Sequence, residues 1–134
     1  MIAEILATGE EIRSGVLVDR NSAYIAQKLE EAGVEVARHS CIGDDPTETV
    51  KILTEMGQRS DIAVVTGGLG PTEDDLTSAA AARAADVDLV LDPQALASVE
   101  NFFKGRNRTL TDSNKKQAML PAGAQCLNNP VGTA

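Results

Sequence analysis

The sequence predicts an α/β protein, a three-layer α/β/α arrangement built around a mostly parallel sheet. Three short runs at residues 2–7, 34–42 and 61–66 read as strands, and they alternate with segments of helical periodicity. Strands that alternate with helices in this way favour a parallel sheet covered by helices on both faces. Because 43% of the residues are hydrophobic but only 2% are aromatic, the core must be aliphatic.

Capping and stop residues indicate where the helices between these strands begin and end. Asn21 or Ser22 can cap a helix that runs to about residue 32, where Gly33 stops it. Asp45 and Pro46 form a second start signal, which is a side-chain cap followed by proline at the first helical position. The sequence therefore predicts one helix after each of the first two strands.

The second half of the chain predicts mainly helix. Residues 74–85 form an alanine-rich helix, whose small side chains allow close approach to the sheet or to another subunit. Asp92 and Pro93 repeat the cap-and-proline signal and start a helix to about residue 104. Thr111 or Asp112 can start another helix that ends near residue 120, and residues 124–127 predict a short strand.

Charge and hydropathy exclude several classes of partner. The 20 acidic residues outnumber the 12 basic ones, giving a net charge of −8, which argues against nucleic acid as the main partner. No run approaches the roughly 18 apolar residues of a membrane span, and none has the form of a signal peptide. We therefore expect a cytoplasmic protein without a membrane partner. Cys41 and Cys126 are expected to be buried or half-buried free thiols, and His39 a solvated surface residue.

The segment at residues 66–77 is the most informative part of the chain. It lies between an apolar run and an alanine-rich helix, so it reads as a glycine-rich turn at a helix start. Such a turn presents backbone N–H groups that suit a phosphate. Asp74 and Asp75 would repel that phosphate unless a divalent cation lay between them. The segment therefore suggests a phosphorylated ligand held through a metal.

Two common phosphate motifs do not match this segment. Pro71 and Thr72 follow Gly70 where the Walker pattern requires lysine and then serine or threonine. Glu73 stands where the dinucleotide fingerprint requires its third glycine, and that fingerprint belongs to the first strand-to-helix turn of a fold. Both interpretations are therefore disfavoured.

The segment instead resembles the signature of the molybdopterin-binding (MoaB/Mog-like) domain of molybdenum-cofactor biosynthesis proteins. Leu69, where many cofactor proteins have threonine, is similar to the competence/damage-inducible protein A (CinA-type) branch of that family. Residues 9–15 with 19–22, residues 43–45 and residues 129–134 resemble three further motifs of the branch. Two departures are Asp19, where asparagine is usual, and Ser14, which replaces a common threonine.

The resemblance implies a metal-dependent pyrophosphatase that hydrolyses ADP-ribose to AMP and ribose 5-phosphate. It makes Asp75 and Asp44 the catalytic residues and the ligands of a divalent ion (Mg²⁺, Mn²⁺ or Co²⁺), with Glu11 as a further ligand. The implied phosphate-binding residues are Gly67, Gly68, Leu69, Gly70, Thr72, Ser14 and Asn21.

Several of these side chains also have a purely structural interpretation. Asp74 and Asp75 can interact with the positive end of the helix that they begin. Asp44 can be a turn residue, and Asn21 and Thr72 can be helix caps. The sequence alone leaves these alternatives open.

Two other functions are compatible with the same motifs. The first is binding of a small pterin ligand without hydrolysis, and the second is a non-catalytic oligomerisation or regulatory role. A homo-oligomer, dimer or trimer, is expected under each of them. The resemblance also implies one domain over residues 1–134 that is truncated before its closing strands and C-terminal helix.

Overall fold

A parallel sheet of three strands organises the first part of the chain in the computed structural model, which describes residues 1–127 and 129–133. The central strand β1 (Ile2–Thr8) lies between β2 (Glu35–Ile42) and β3 (Ile62–Thr66), and both neighbours run parallel to it. These strands belong to a compact unit at residues 1–68, and a second unit begins at Leu69. The predicted α/β class and parallel sheet are confirmed.

Strand β1 is buried along almost its whole length, as expected for the centre of a parallel sheet. Ile5 and Leu6 are fully buried, and only the first of the seven residues is exposed. Burying a Leu or Ile side chain contributes roughly 1.5–3 kcal/mol each, so this strand supplies much of the first unit's hydrophobic stabilisation.

Glu4 is the one charged residue in this buried strand. Arg59 donates from Nε to Glu4 Oε1 at 2.6 Å and from Nη2 to Oε2 at 2.9 Å. The hydrogen bonds from Arg59 are the main cause of a lowered pKa for Glu4, and burial opposes them. An irregularity in the β1–β2 register pairs Glu4 with Arg38, whose charge lowers the pKa further. Glu4 is therefore buried as a compensated carboxylate.

Three helices complete the first unit: α1 (Glu10–Arg13), α2 (Arg20–Glu31) and α3 (Pro46–Arg59). The start of α3 is as predicted, because the Asp45 side chain accepts from Thr47 N at 2.8 Å and Glu48 N at 3.0 Å. The predicted cap of α2 was wrong. Asp19, not Asn21 or Ser22, caps the helix, and it accepts from Ser22 N at 2.9 Å.

The second unit combines helices with a small antiparallel sheet. Its elements are α4 (Thr77–Ala84), β4 (Leu89–Leu91), α5 (Pro93–Lys104), α6 (Asp112–Lys115), a 3₁₀ turn (Lys116–Ala118) and β5 (Met119–Pro121). The start of α5 is as predicted, because the Asp92 side chain accepts from Ala95 N at 2.7 Å. Helix α4 packs on β5 and buries the small side chains Ala80 and Ala82.

Three predicted boundaries in this unit were wrong. Helix α4 begins at Thr77, so Asp74 and Asp75 precede it instead of forming its first turn. The predicted helix ending near residue 120 stops at Ala118, because the next three residues pair with β4. Residues 124–127 contain no strand, and β4 was missed because its three side chains are all exposed and leave no burial pattern.

The surface agrees with most expectations. His39 is exposed, as predicted. Both cysteines are free, but Cys41 is exposed instead of buried or half-buried, whereas Cys126 is half-buried. Within the described parts of the chain, no helix has the length and hydropathy needed to cross a bilayer.

We predict that Arg59→Met lowers the free energy of unfolding by about 3 kcal/mol, because it leaves Glu4 buried without a partner. Lys51→Met is the matched control. Lys51 pairs with Glu48 at 3.7 Å on the exposed face of the same helix, and such pairs contribute about 1 kcal/mol or less. Urea unfolding at pH 7 measures both losses. Equal losses in the two variants would contradict a structural role for the buried pair.

Candidate functional site

The carboxyl ends of β1 and β3 border a cavity of about 570 Å³ in the first unit. Ligands of parallel sheets bind at this edge. Its polar lining consists of Thr8, Glu11, Asp19, Arg20, Asn21 and Thr66. Three predicted site residues, Glu11, Asn21 and Gly67, therefore line this cavity together.

A short hydrogen-bonded chain of polar side chains crosses one wall of this cavity. Asn21 Nδ2 donates to Thr66 Oγ1 at 3.2 Å, and Thr8 Oγ1 donates to the Thr66 carbonyl oxygen at 3.4 Å. The sequence analysis missed both threonines. Their signal was present, since each is the hydroxyl residue that ends an apolar strand. The network shows that Asn21 faces the cavity and is not the cap of α2.

Ser14 and Asp44 lie in other positions in the same unit. Ser14 is exposed at the end of α1, outside the cavity lining, and its Oγ donates to the Glu11 carbonyl oxygen at 3.4 Å. Asp44 is also exposed, and its Oδ2 accepts from Glu10 N at 3.3 Å. Asp44 therefore ties the turn after β2 to the start of α1, and the ligand roles of both residues stay predictions.

Gly67 brings the backbone close to the end of β1. Its φ is +97°, and a Cβ at this position would lie 2.2 Å from the Thr8 carbonyl oxygen. Gly68 follows with φ of +64°. Both angles favour glycine, and at Gly67 the close approach leaves no room for a side chain. Gly67 is therefore required by the backbone path that leaves β3, and glycine is favoured at position 68.

Asp75, in the second unit, accepts hydrogen bonds from the part of the glycine-rich segment that precedes it in the sequence. Its Oδ2 accepts from Thr72 N at 2.8 Å and from Thr72 Oγ1 at 2.5 Å. A Cβ at Gly70 would lie 2.6 Å from the same oxygen. Three predicted site residues, Gly70, Thr72 and Asp75, thus form one hydrogen-bonded turn. Leu69 precedes it and is exposed.

The surroundings of Asp75 favour its ionised form. Burial is the largest influence and would raise the pKa of Asp75. The hydrogen bonds from Thr72 and from the Gly70 N–H, with the positive charge of Lys116, outweigh burial and lower the pKa overall. A carboxylate held by several donors at the start of a helical segment is therefore available as an anion at neutral pH.

The sequence analysis missed two residues that contact this turn from a distant part of the chain. Lys116 Nζ donates to the Thr72 carbonyl oxygen, and Gln117 Nε2 donates to the Leu69 carbonyl oxygen at 3.3 Å. In the sequence, Lys116 is simply the second of two adjacent lysines. No local pattern indicates contacts that span more than 40 residues.

The side chains that could hold the predicted divalent ion are few. Among residues 1–127 and 129–133, no group of three or more His, Cys, Asp or Glu side chains is arranged to hold an ion. Asp44 lies in the first unit and Asp75 in the second. Mg²⁺ is often held by only one or two carboxylates together with substrate phosphates. Asp75 fits a site of that kind, so the metal stays a prediction.

We predict that Gly67→Ala destabilises the protein more than Gly33→Ala. Both positions have positive φ, at +97° and +79°, so alanine costs about 1–2 kcal/mol at each. Only at Gly67 does the new Cβ meet the Thr8 carbonyl, which adds about 1–3 kcal/mol. Urea unfolding of the two variants isolates that difference, and equal losses would contradict the close approach.

We predict a pH-dependent effect of Asp75→Asn. Since the folded state lowers the pKa of Asp75, its stabilisation is present above the unfolded pKa of about 3.9 and is lost as pH falls through the folded pKa. At pH 7 the unfolding free energy of the variant should be about 1–2 kcal/mol lower than that of the unmodified chain. This difference should become smaller below about pH 4.

Asp74→Asn is the control for this measurement. Asp74 is exposed and makes no side-chain hydrogen bond among the described residues, so its substitution should change stability by less than about 0.5 kcal/mol. Urea unfolding between pH 3 and 7 compares the two variants. A constant gap between Asp75→Asn and the unmodified chain over this range would refute the ionised contact.

The chain matches the sequence profile of a family described as "Probable molybdopterin binding domain" over residues 4–134. A CinA-like protein of Desulfosudis oleivorans is 58% identical over 134 residues, which cover 100% of this chain and 32% of that protein. A CinA-like protein of Escherichia coli is 46% identical over 131 residues, which cover 98% of this chain and 33% of that protein. The chain therefore spans about a third of the length of these curated relatives.

Solved structures agree with the sequence match. CinA of Thermoplasma acidophilum, described as a protein of unknown function, has a TM-score of 0.92 and 34% identity, covering 100% of this chain and 79% of that one. The molybdopterin biosynthesis enzyme MoaB of Thermus thermophilus has a TM-score of 0.59 and 20% identity, covering 88% of this chain and 70% of that one. At that identity MoaB shows the shared fold alone. The chain belongs to the probable molybdopterin-binding domain family, in its CinA-type branch.

Proposed function

We propose that this domain is a metal-dependent pyrophosphatase that hydrolyses ADP-ribose to AMP and ribose 5-phosphate. The observation that supports it best is the turn formed by Gly70, Thr72 and Asp75, where backbone and hydroxyl donors hold a carboxylate in its ionised form. Carboxylates with shifted pKa values in glycine-rich turns are typical of functional sites. The substrate class comes from the resemblance to the CinA-type branch.

Asp75 has the central role in this proposal. The two bonds from Thr72 fix the orientation of the carboxylate, and the lowered pKa keeps it charged without a contact ion pair. A divalent ion, Mg²⁺, Mn²⁺ or Co²⁺, bound to Asp75 and phosphate oxygens would neutralise the diphosphate and activate a water molecule. The metal-ligand roles that the resemblance implies for Asp44 and Glu11 stay predictions. The Gly70 N–H already donates to Asp75, so backbone N–H groups near Gly67, Gly68 and Leu69 would donate to phosphate oxygens.

The cavity of the first unit suits a small sugar-containing ligand. Its volume of about 570 Å³ lies in the usual range for small-molecule sites. The network of Thr8, Asn21 and Thr66 places hydroxyl and amide groups on its wall, and such groups pair with sugar hydroxyls. The phosphate-binding roles of Ser14 and Thr72 stay predictions, because both hydroxyls already donate within the protein.

Pterin binding without hydrolysis is the second candidate function. The family is one of probable molybdopterin-binding domains, and MoaB of Thermus thermophilus is a molybdopterin biosynthesis enzyme. A second cavity of about 430 Å³, in the second unit, has Leu69, Ala95 and Leu120 in its lining with the Gln117 amide beside them. The lining also contains the amides of Gln125 and Asn129, and apolar walls with amide groups suit a planar, hydrogen-bonding ring.

Under both candidates we also expect assembly as a homodimer or homotrimer in the cytoplasm. A non-catalytic oligomerisation domain is the third alternative. Sedimentation analysis that finds a monomer would contradict the assembly. The non-catalytic alternative would be favoured by an oligomer that binds neither ADP-ribose nor molybdopterin.

The decisive experiment is product analysis after incubation with ADP-ribose and each of the three divalent ions. We expect AMP and ribose 5-phosphate, with formation lost on chelation. Asp75→Ala should reduce turnover at least about 100-fold, because it removes the proposed metal ligand. Asp74→Ala, at the exposed neighbouring carboxylate, should retain turnover within about twofold.

Circular dichroism establishes that both variants are folded before their rates are compared. Full activity in a folded Asp75→Ala variant would remove Asp75 from the mechanism. Tight molybdopterin binding by the unmodified chain, with no cleavage of ADP-ribose, would favour the pterin function instead.

A further inference from the structure

Lys116 is a cation placed directly behind the glycine-rich turn. It lies in the 3₁₀ turn that follows α6, and its Nζ donates to the carbonyl oxygens of Thr72 and Glu73, the latter at 3.5 Å. The side chain reaches back over 44 residues to Thr72. Ordering a long lysine side chain costs up to about 2 kcal/mol of rotamer entropy, so this fixed position needs a physical reason.

The positive charge of Lys116 is not matched by a contact ion pair. Its two bonds go to neutral carbonyls, and within the described ranges no salt bridge joins it to a carboxylate. Its charge acts on Asp75, but Thr72 and Gly70 already donate to that carboxylate. An ammonium has three N–H donors, so one remains after the two carbonyl contacts.

The neighbouring lysine is arranged differently. Lys115 Nζ lies 2.8 Å from Asp112 Oδ1 on an exposed face, which is an ordinary surface pair within one turn. Lys115 and Lys116 are adjacent in the sequence, yet only Lys116 contacts the turn that contains Asp75. Lys115 is therefore a natural internal control for Lys116.

Gln117 supports the position of Lys116. Its Nε2 donates to the Leu69 carbonyl oxygen at 3.3 Å and to Thr133 Oγ1 at 2.8 Å. Two consecutive residues of the 3₁₀ turn thus hold residues 69 and 72–73 of the glycine-rich segment from one side. The segment also contains three consecutive acidic residues, Glu73, Asp74 and Asp75, which would repel an anion. A fixed cation at this position offsets that repulsion.

We propose that Lys116 is a phosphate-binding residue of this site, whose remaining N–H donates to a phosphate oxygen of a diphosphate ligand. This inference rests on the proposed function to the extent that both assign the phosphate to the glycine-rich segment. Lysine binds phosphate as a compact point charge, and a charge-assisted bond of this kind is strong. The chemistry requires a diphosphate or phosphate ester, and it does not depend on whether the ligand is later cleaved.

The test is calorimetric titration of the chain with inorganic pyrophosphate at low ionic strength, with and without Mg²⁺. We expect Lys116→Met to weaken binding by about 10- to 100-fold, the range for a charge-assisted hydrogen bond. Lys115→Met should bind within about twofold of the unmodified chain, because its partner is a surface carboxylate. Lys116→Arg keeps the charge and should recover most of the lost affinity.

A purely structural role for Lys116 gives a different result. The midpoint of thermal unfolding would then fall in Lys116→Met, while the folded protein would bind pyrophosphate with unchanged affinity. That result would overturn the inference, and so would the absence of pyrophosphate binding to the unmodified chain, or equal weakening in Lys115→Met.

ADP-ribose turnover separates this inference from the proposed function. Lys116-dependent binding of pyrophosphate without any ADP-ribose cleavage would overturn the hydrolase and leave the phosphate site standing. Cleavage with unchanged kcat and KM in folded Lys116→Met would support the hydrolase and overturn the role of Lys116. A rise in KM with a smaller change in kcat is the result expected if both are correct.

Discussion

Burial of β1 is the constraint on which the first unit depends. A strand with six of its seven residues buried must pair along both edges, because an unpaired backbone N–H or C=O inside a protein is costly. β2 and β3 supply those partners in parallel, so their carboxyl ends meet at one edge of the sheet. The cavity beside Thr8 and Thr66 lies at this edge, and residues 11–21, which follow β1 in the sequence, supply most of the rest of its lining.

Two carboxylates with lowered pKa values, Glu4 and Asp75, are stabilised in different ways. Glu4 is buried, and both of its oxygens accept from one guanidinium, so its charge is compensated within the fold. Asp75 is held ionised mainly by neutral donors, and the cation that acts on it makes its own contacts with backbone carbonyls. A charge that is stabilised but not neutralised can still attract a cation or interact with a ligand. Geometry therefore favours Asp75 as the functional acid, although the pKa is lowered in both.

The predictable features of the fold are those with a local physical cause. Asp45 and Asp92, each followed by proline, cap α3 and α5 as expected, because capping involves only the next few residues. Asp19 was overlooked as the cap of α2, because three adjacent polar residues compete for that role and only the backbone angles decide among them.

The less predictable features depend on long-range contacts. Strands β4 and β5 lie about 30 residues apart and have no alternating pattern of burial, so only their pairing defines them. The same holds for the candidate site. The glycines and Asp75 form a recognisable motif, whereas the partners of Thr66 in the first unit and of Lys116 in the second are more than 40 residues away in the sequence.

A net charge of −8 is compatible with a phosphate-binding site. The net charge acts over long distances, whereas binding of a small anion depends on the groups in direct contact with it. Solvent ions screen exposed charges beyond about 10 Å at 0.1 M salt, so the summed acidity disfavours a long polyanion but acts weakly on a small ligand inside a turn. Within that turn the electrostatic interaction with a small anion depends on the nearest groups, which are the backbone donors, Asp75 and Lys116. Excess acidity thus disfavours a long polyanion, and under the proposal a fixed cation beside an ionised carboxylate offsets the local repulsion of a small anion.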